Sequence, residues 1–187
     1  GCGKTTLARI CVRMLKCGEG DFQEVNAANA TGVDFIRKID DQARAKPLFG
    51  SKCRVWLLDE AHQLSKAAQN AFLKLLEDGP PNVYFMLATT NASKLIATIR
   101  NRCSLLGVKP LREDALVALL EEVAEAEEFE LGEDVGERIA TASNGSPRQA
   151  LVLLHQIKDK DPDDQYDAVE TVTGTERGAI ELAQLLF

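Results

Sequence analysis

The 187-residue chain is 45% hydrophobic and 27% charged, a globular balance that excludes disorder. Its 22 Lys and Arg against 29 Asp and Glu give a net charge of −7, which excludes a uniformly basic nucleic-acid binder but leaves room for a local basic patch. No apolar run approaches the ~20 residues of a membrane span, and no signal-peptide pattern opens the chain. Cysteines stand at Cys2, Cys11, Cys17, Cys53 and Cys103. The number is odd and none forms a Cys-x-x-Cys pair, so we expect a reduced, cytoplasmic protein with no zinc site and no membrane partner.

In chain order, Thr5–Lys16 predicts a helix with Leu7, Ile10, Cys11, Met14 and Leu15 on one side. Phe22–Asn26 is a short strand candidate. Val33–Ala45 predicts a helix carrying Phe35, Ile36 and Ile39. Val55-Trp56-Leu57-Leu58, ending in Asp59-Glu60, has the continuous apolar character of a strand buried on both faces. Ser65 is placed to cap the next helix, where Ala68, Phe72, Leu75 and Leu76 recur at helical spacing before Gly79-Pro80-Pro81 ends it. Val83–Ala88 predicts another buried strand, followed by Thr89-Thr90-Asn91.

Beyond Pro110 only helices are expected. Ala115, Leu116, Leu119, Leu120 and Val123 form one apolar face, and Val135, Ile139 and Ala142 a second, shorter one. Ser146-Pro147 combines a serine cap with a proline at the first helical position, ahead of Leu151, Leu154 and Ile157. Asp159–Asp164, acidic and broken by Pro162, predicts a linker. From Gln165 a further helical unit follows, and the apolar Leu185-Leu186-Phe187 suggests that it continues. Alternating strands and helices followed by helices alone predict an α/β parallel-sheet domain and a helical one.

Gly1-Cys2-Gly3-Lys4-Thr5-Thr6 is the end of a phosphate-binding loop. Glycines let backbone N–H groups converge on phosphate oxygens, Lys4 is placed to reach the β and γ phosphates, and the Thr5 hydroxyl to ligate Mg²⁺. The strand anchoring such a loop is expected ahead of Gly1. Asp59-Glu60 supplies the acidic partner: Asp59 for the Mg²⁺ shell and Glu60 to orient and deprotonate a water. Together the two motifs predict ATP and Mg²⁺ as ligands. Asp59-Glu60-Ala61-His62 also spells a helicase DEAH box, but no Gln-Arg-x-Gly-Arg motif accompanies it.

The stretch Val55–Cys103, with its acidic box, its Asn-Ala-Phe-Leu-Lys helix, its Pro-Pro turn, its Leu-Ala-Thr-Thr strand end and Asn101-Arg102-Cys103, resembles the AAA+ clamp-loader ATPases. These are the gamma/tau subunit of bacterial DNA polymerase III and the small subunits of replication factor C. Gly145-Ser146-Pro147-Arg148 resembles that family's sensor 2 segment. Two departures stand out. Asn101 replaces the usual serine, and Cys17–Asp21 is short where gamma/tau subunits carry a four-cysteine zinc module. Glu24–Ile39 is instead similar to replication factor C small subunits, so the chain could be a phage or a divergent bacterial loader subunit.

The resemblance implies an AAA+ P-loop core over residues 1–107 without its N-terminal strand, a helical lid over 108–160, and the start of a collar over 163–187. It implies Thr90 as sensor 1, Arg148 as sensor 2 acting on the phosphates, and Arg102 as the arginine finger reaching a neighbouring subunit's site. Gly1, Cys2, Gly3, Lys4, Thr5 and Thr6 would hold the nucleotide. The implied partners are other loader subunits in a ring, a sliding clamp, and primer–template DNA contacted by Arg37, Lys38 and Lys66. The implied function is an ATP-driven motor that loads the clamp during DNA replication. Two alternatives remain open: another AAA+ DNA-remodelling ATPase, for branch migration or recombination, and a structural loader subunit. Trp56 reads as a core residue, and His62 and His155 lack a metal partner at ligand spacing.

Overall fold

The computed structural model describes residues 2–29, 31–45 and 51–185, with side chains up to residue 174. Gly1 lies outside them, as do the side chains of Leu185-Leu186-Phe187. The chain divides into two compact units, Lys4–Gly107 and Val108–Phe187, the latter grouped with Gly1–Gly3.

The first unit contains α1 (Lys4–Met14), β1 (Phe22–Asn26), α2 (Val33–Ala43), β2 (Arg54–Asp59), α3 (Lys66–Asp78), β3 (Val83–Leu87) and the short α4 (Ala97–Arg100). The strands form a parallel sheet in the order β1-β2-β3. This is the parallel-sheet α/β architecture expected from the sequence.

The apolar run of β2 reflects its central place. Trp56 and Leu58 face α2 and α3, joining Ile36, Ile39, Phe72 and Leu75 in the main core. Val55 and Leu57 face the other way, Leu57 against Ala8 and Val55 against Val12 of α1. Alternate side chains thus bury on opposite faces, as a strand covered on both sides requires. Phe72 also meets Phe85 of β3 edge-to-face, with ring centroids 5.3 Å apart. At the start of β2, Arg54 donates from Nε and Nη2 to Asp21 Oδ1 (3.1 and 2.8 Å) and from Nη1 to the Gln42 carbonyl. Asp21 is buried, so this pair ties the turn before β1 to the end of α2 at the sheet's lower edge. Nearby, the Cys53 thiol donates to the Leu15 carbonyl and the Cys17 thiol to the Cys53 carbonyl, both at 3.5 Å. Desolvation, reinforced by Cys53, pushes the Cys17 thiol pKa up and favours the protonated form.

Two expectations for this unit need correction. The buried face of α1 is Ala8 and Val12, whereas Ile10 and Met14 are exposed. The helix lies close against the sheet along its small, narrow side, which the larger apolar residues outnumber in the sequence. Strand β3 is only half-buried, with Tyr84 exposed, because it is an edge of the sheet among the described residues.

The second unit is helical: α5 (Glu113–Ala126), α6 (Val135–Ala142), α7 (Pro147–Ile157) and α8 (Pro162–Leu185). Leu116 and Leu120 pack with Val135, Ile139, Leu153, Leu154, Ile157 and Val169. Leu151, expected to line this core, is exposed, and Ala150 and Leu153 take its place. The predicted linker at Asp159–Asp164 is also corrected, since α8 already begins at Pro162. Proline at a first helical position needs no N–H partner, and Asp163 and Asp164 favour the positive end of the helix. Buried Gln165 then accepts from Gly132 N (2.9 Å) and donates to the Glu130 carbonyl (3.0 Å), fastening α8 to the loop before α6.

One turn depends on glycine. Gly145 has φ +76°, and a Cβ there would lie 2.4 Å from Pro110 Cβ and 2.8 Å from the Leu111 carbonyl oxygen. Its own carbonyl accepts from Leu111 N at 2.9 Å. Gly174, inside α8, has no such neighbour among the described residues. Gly145→Ala is therefore expected to destabilise the full chain by about 1–3 kcal/mol through strain and crowding. Gly174→Ala should stabilise it by about 0.5–1 kcal/mol through helix propensity. Denaturant unfolding of both variants, read by helical circular dichroism, tests the opposite signs.

Candidate functional site

Strands β2 and β3 run parallel with Leu58 opposite Leu87, so both release their chains at the same edge of the sheet. The pairing continues beyond the strands: Ala88 N donates to the Leu58 carbonyl and Ala61 N to the Ala88 carbonyl, each at 3.0 Å. Asp59-Glu60 and Thr89-Thr90 are thereby held side by side. Glu60 sits in the left-handed region at φ 49°, ψ 40°, a conformation that non-glycine residues hold only when their surroundings enforce it. Its N–H donates to Asp59 Oδ1 at 2.9 Å.

The Glu60 carboxylate is embraced rather than free. Thr90 Oγ1 donates to Glu60 Oε2 at 3.4 Å, and His62 Nδ1 lies 3.2 Å from the same oxygen. His62 Nδ1 is also 3.0 Å from Thr89 Oγ1, which accepts from Asn91 N at 3.0 Å. In the sequence His62 reads only as the end of the Asp-Glu-Ala-His run and as a histidine without a metal partner. The signal was its place two residues after the acid, just past a strand end.

Helix α1 approaches this edge with its N-terminus. Ala8 packs on Leu57 and Ala88, while Val12, one turn later, packs near Val55 and Cys53 at the start of β2. Lys4 and Thr5, one turn before Ala8, therefore lie toward the Asp59–Glu60 end. Both are half-buried, as is Cys2, and Thr6 is exposed. Gly3 has φ +85°, and nothing lies within 4 Å of where its Cβ would stand. No acid occupies the first turn of α1, so nothing there opposes an anion at its positive end. No cluster of three or more His, Cys, Asp or Glu suited to a metal occurs among the described residues. One hydroxyl and one carboxylate still fit Mg²⁺, which keeps most of its waters beside phosphates.

Gln69 of α3, also missed from sequence, is buried beneath these loops. Its Nε2 donates to the Leu64 carbonyl (3.0 Å) and the Lys94 carbonyl (3.4 Å), and its Oε1 accepts from Ile96 N (2.8 Å). One side chain thus satisfies the segment after Glu60 and the segment leading to α4. Helix α3 is capped as expected, Ser65 Oγ accepting from Ala68 N at 3.2 Å. Arg102, just past α4, is exposed and donates to the Thr98 carbonyl (3.2 Å) and to the Glu77 carboxylate. Arg37 pairs with Asp34 at 3.0 Å on α2, and Lys38 and Lys66 are exposed on α2 and α3. Arg148 is exposed in the first turn of α7, behind the Ser146 cap (Gln149 N to Ser146 Oγ, 3.4 Å), in the second unit.

Residues 2–112 match the family model described as DNA polymerase III, delta subunit. The chain belongs to this family. It is 34% identical to DNA polymerase III subunit gamma/tau of Mycobacterium bovis, a match covering 84% of this chain and 31% of that protein. It is 34% identical to subunit tau of Bacillus subtilis (83% and 31%) and 35% identical to subunit gamma of Buchnera aphidicola (82% and 48%). The resemblance to the AAA+ clamp-loader ATPases is thus borne out, although the chain spans only about a third to a half of these relatives. The Thermotoga maritima RuvB Holliday junction branch migration motor superposes with a TM-score of 0.76 at 22% identity, over 90% of this chain and 58% of that one, a likeness of fold. No helix among the described residues is long and apolar enough to cross a membrane.

Replacing Gln69 with Met should keep its bulk but orphan the Ile96 N–H and the Leu64 carbonyl. A loss of about 2–4 kcal/mol is expected, measurable by denaturant unfolding, with Gln69→Glu recovering only the Ile96 contact.

Proposed function

We propose that the chain is the ATP-hydrolysing part of a clamp-loader motor subunit, acting in a ring that opens a sliding clamp and places it on primed DNA. The observation that carries this reading is the meeting of Glu60 with Thr90 at the sheet edge toward which α1 directs Lys4 and Thr5. In this reading Gly1, Cys2, Gly3 and Thr6 contribute the loop, and Lys4 neutralises the β and γ phosphates of ATP. Thr5 and Asp59 would hold Mg²⁺, which supplies charge neutralisation at the phosphates.

Glu60 accepts a proton from water as the water oxygen bonds to the γ phosphorus. The bond from that phosphorus to the bridging oxygen breaks, leaving ADP and phosphate. Thr90 orients the water or the γ phosphate, and Arg148 contacts the phosphates from the lid of the same subunit. Arg102 reaches the neighbour's nucleotide, and a guanidinium there neutralises charge on the transferring group only once subunits are assembled. Residues 1–107 serve as the core, 108–160 as the lid, and 163–187 as the first part of a collar. Arg37, Lys38 and Lys66 supply positive charge for the DNA backbone without reading sequence. A purely structural subunit is disfavoured because Lys4, Thr5, Asp59 and Glu60 are all present.

The test uses the full-length protein assembled with its neighbouring subunits. Arg102→Ala is expected to leave ATP binding within about twofold while lowering DNA- and clamp-stimulated hydrolysis about 10³-fold. Lys4→Ala should abolish ATP binding itself. Unchanged turnover in Arg102→Ala would refute the finger assignment, and unchanged binding in Lys4→Ala would refute the nucleotide site.

A further inference from the structure

Two thiols meet at the end of the sheet opposite Glu60 and Thr90. Cys53, only 3% exposed, directly precedes β2, and Cys17, half-buried, follows α1. The two are 36 residues apart in the chain, yet each thiol donates to a carbonyl of the other's segment. Cys17 Sγ donates to the Cys53 carbonyl and Cys53 Sγ to the Leu15 carbonyl, both at 3.5 Å. Ser51 clasps the same two segments, its Oγ accepting from Gly18 N (3.1 Å) and donating to the Cys53 carbonyl (2.8 Å). Cys17 also packs against the small core cluster of Val12, Cys53 and Val55.

The thiols are near enough to act on each other. Burial first, and the neighbouring Cys53 thiol second, push the Cys17 pKa up, so Cys17 rests as a thiol. An S–H group is a weak donor. Turning each sulfur from its carbonyl toward the other therefore gives up little, while Ser51 keeps the two backbones side by side. The more accessible sulfur is Cys17, and the buried Cys53 stands behind it, the order that a two-step exchange requires.

We propose that Cys17 and Cys53 form a reversible disulfide site, closed by exchange with a small disulfide oxidant such as oxidised glutathione. Cys17 loses its proton to solvent, and its sulfur attacks one sulfur of the oxidant. The oxidant's S–S bond breaks, and the departing thiolate takes up a proton. Cys53, deprotonated in turn, attacks the Cys17 sulfur of the mixed disulfide, and a second small thiol leaves. The two protein thiols give up two electrons, and one oxidant molecule becomes two thiols. The bridge staples the end of α1 to the root of β2, independently of the nucleotide site proposed at the other end of the strand.

The test incubates the full chain with oxidised glutathione and maps its cysteines by mass spectrometry before and after dithiothreitol. The wild type is expected to yield a linked Cys17–Cys53 peptide that dithiothreitol removes, and a melting temperature raised by about 5–10 °C. Cys53→Ala should trap glutathione on Cys17. Cys17→Ser should leave Cys53 reduced and the melting temperature insensitive to the oxidant. Glutathione that stays on Cys17 of the wild type without closure overturns the proposal, as does linkage through exposed Cys103 instead or no reaction at either thiol. A link that forms without raising the melting temperature belongs to an opened chain and overturns it too. The wild-type map decides the matter even where a variant fails to fold.

Discussion

The site depends on the parallel register of β2 with β3. Parallel strands carry their C-terminal ends to one edge of a sheet, and helices on both faces keep the strands dry. Here that edge gathers the two acids of one strand end and the two threonines of the next, and the backbone pairs Leu58–Ala88 and Ala88–Ala61 continue the alignment one step past the sheet. A shift of one residue would turn Leu58 onto the face covered by α1 and carry Asp59 out of line with Thr89-Thr90. The burial of Trp56, Leu57 and Leu58 therefore fixes the site's layout as well as the fold, because the same side chains that fill the core set which residue emerges last.

Below that edge, a few buried side chains satisfy backbone and charged groups. Gln69 serves three backbone groups from two separate loops, and Arg54 with Asp21 closes the opposite end of the sheet. Losing one partner of such a group exposes the full desolvation cost of the others. The loops that follow Glu60 and Thr90 are thus joined through one buried side chain.

Much of this was legible in the sequence, and for identifiable reasons. The run Val55–Leu58 could only be a doubly covered strand, Ser65 and Ser146 are both caps as read, and the motif order pointed to the right family. Other features answered to neighbours that a linear reading does not contain. Ala8 and Val12 rather than Ile10 and Met14 face the sheet, because close approach favours small side chains over hydrophobic ones. Pro162 reads equally as a breaker or a helix start, and the two aspartates after it decide for the start. Gln69 carries no motif of its own, since its role arises only when two loops and a helix meet.

In the proposed reading, Arg102 is a surface contact that serves an assembly. At rest its guanidinium holds Glu77 and the Thr98 carbonyl on its own subunit, a half-exposed pair of the kind that contributes ~0–1 kcal/mol. The polyphosphate of a neighbouring nucleotide, in the proposed reading, offers several charged oxygens in a site closed to water, where charge-assisted hydrogen bonds are roughly twice as strong as neutral ones. Leaving Glu77 thus costs little compared with what the new partner returns. In that reading, the weakness of the half-exposed Arg102–Glu77 pair is what would make the exchange reversible.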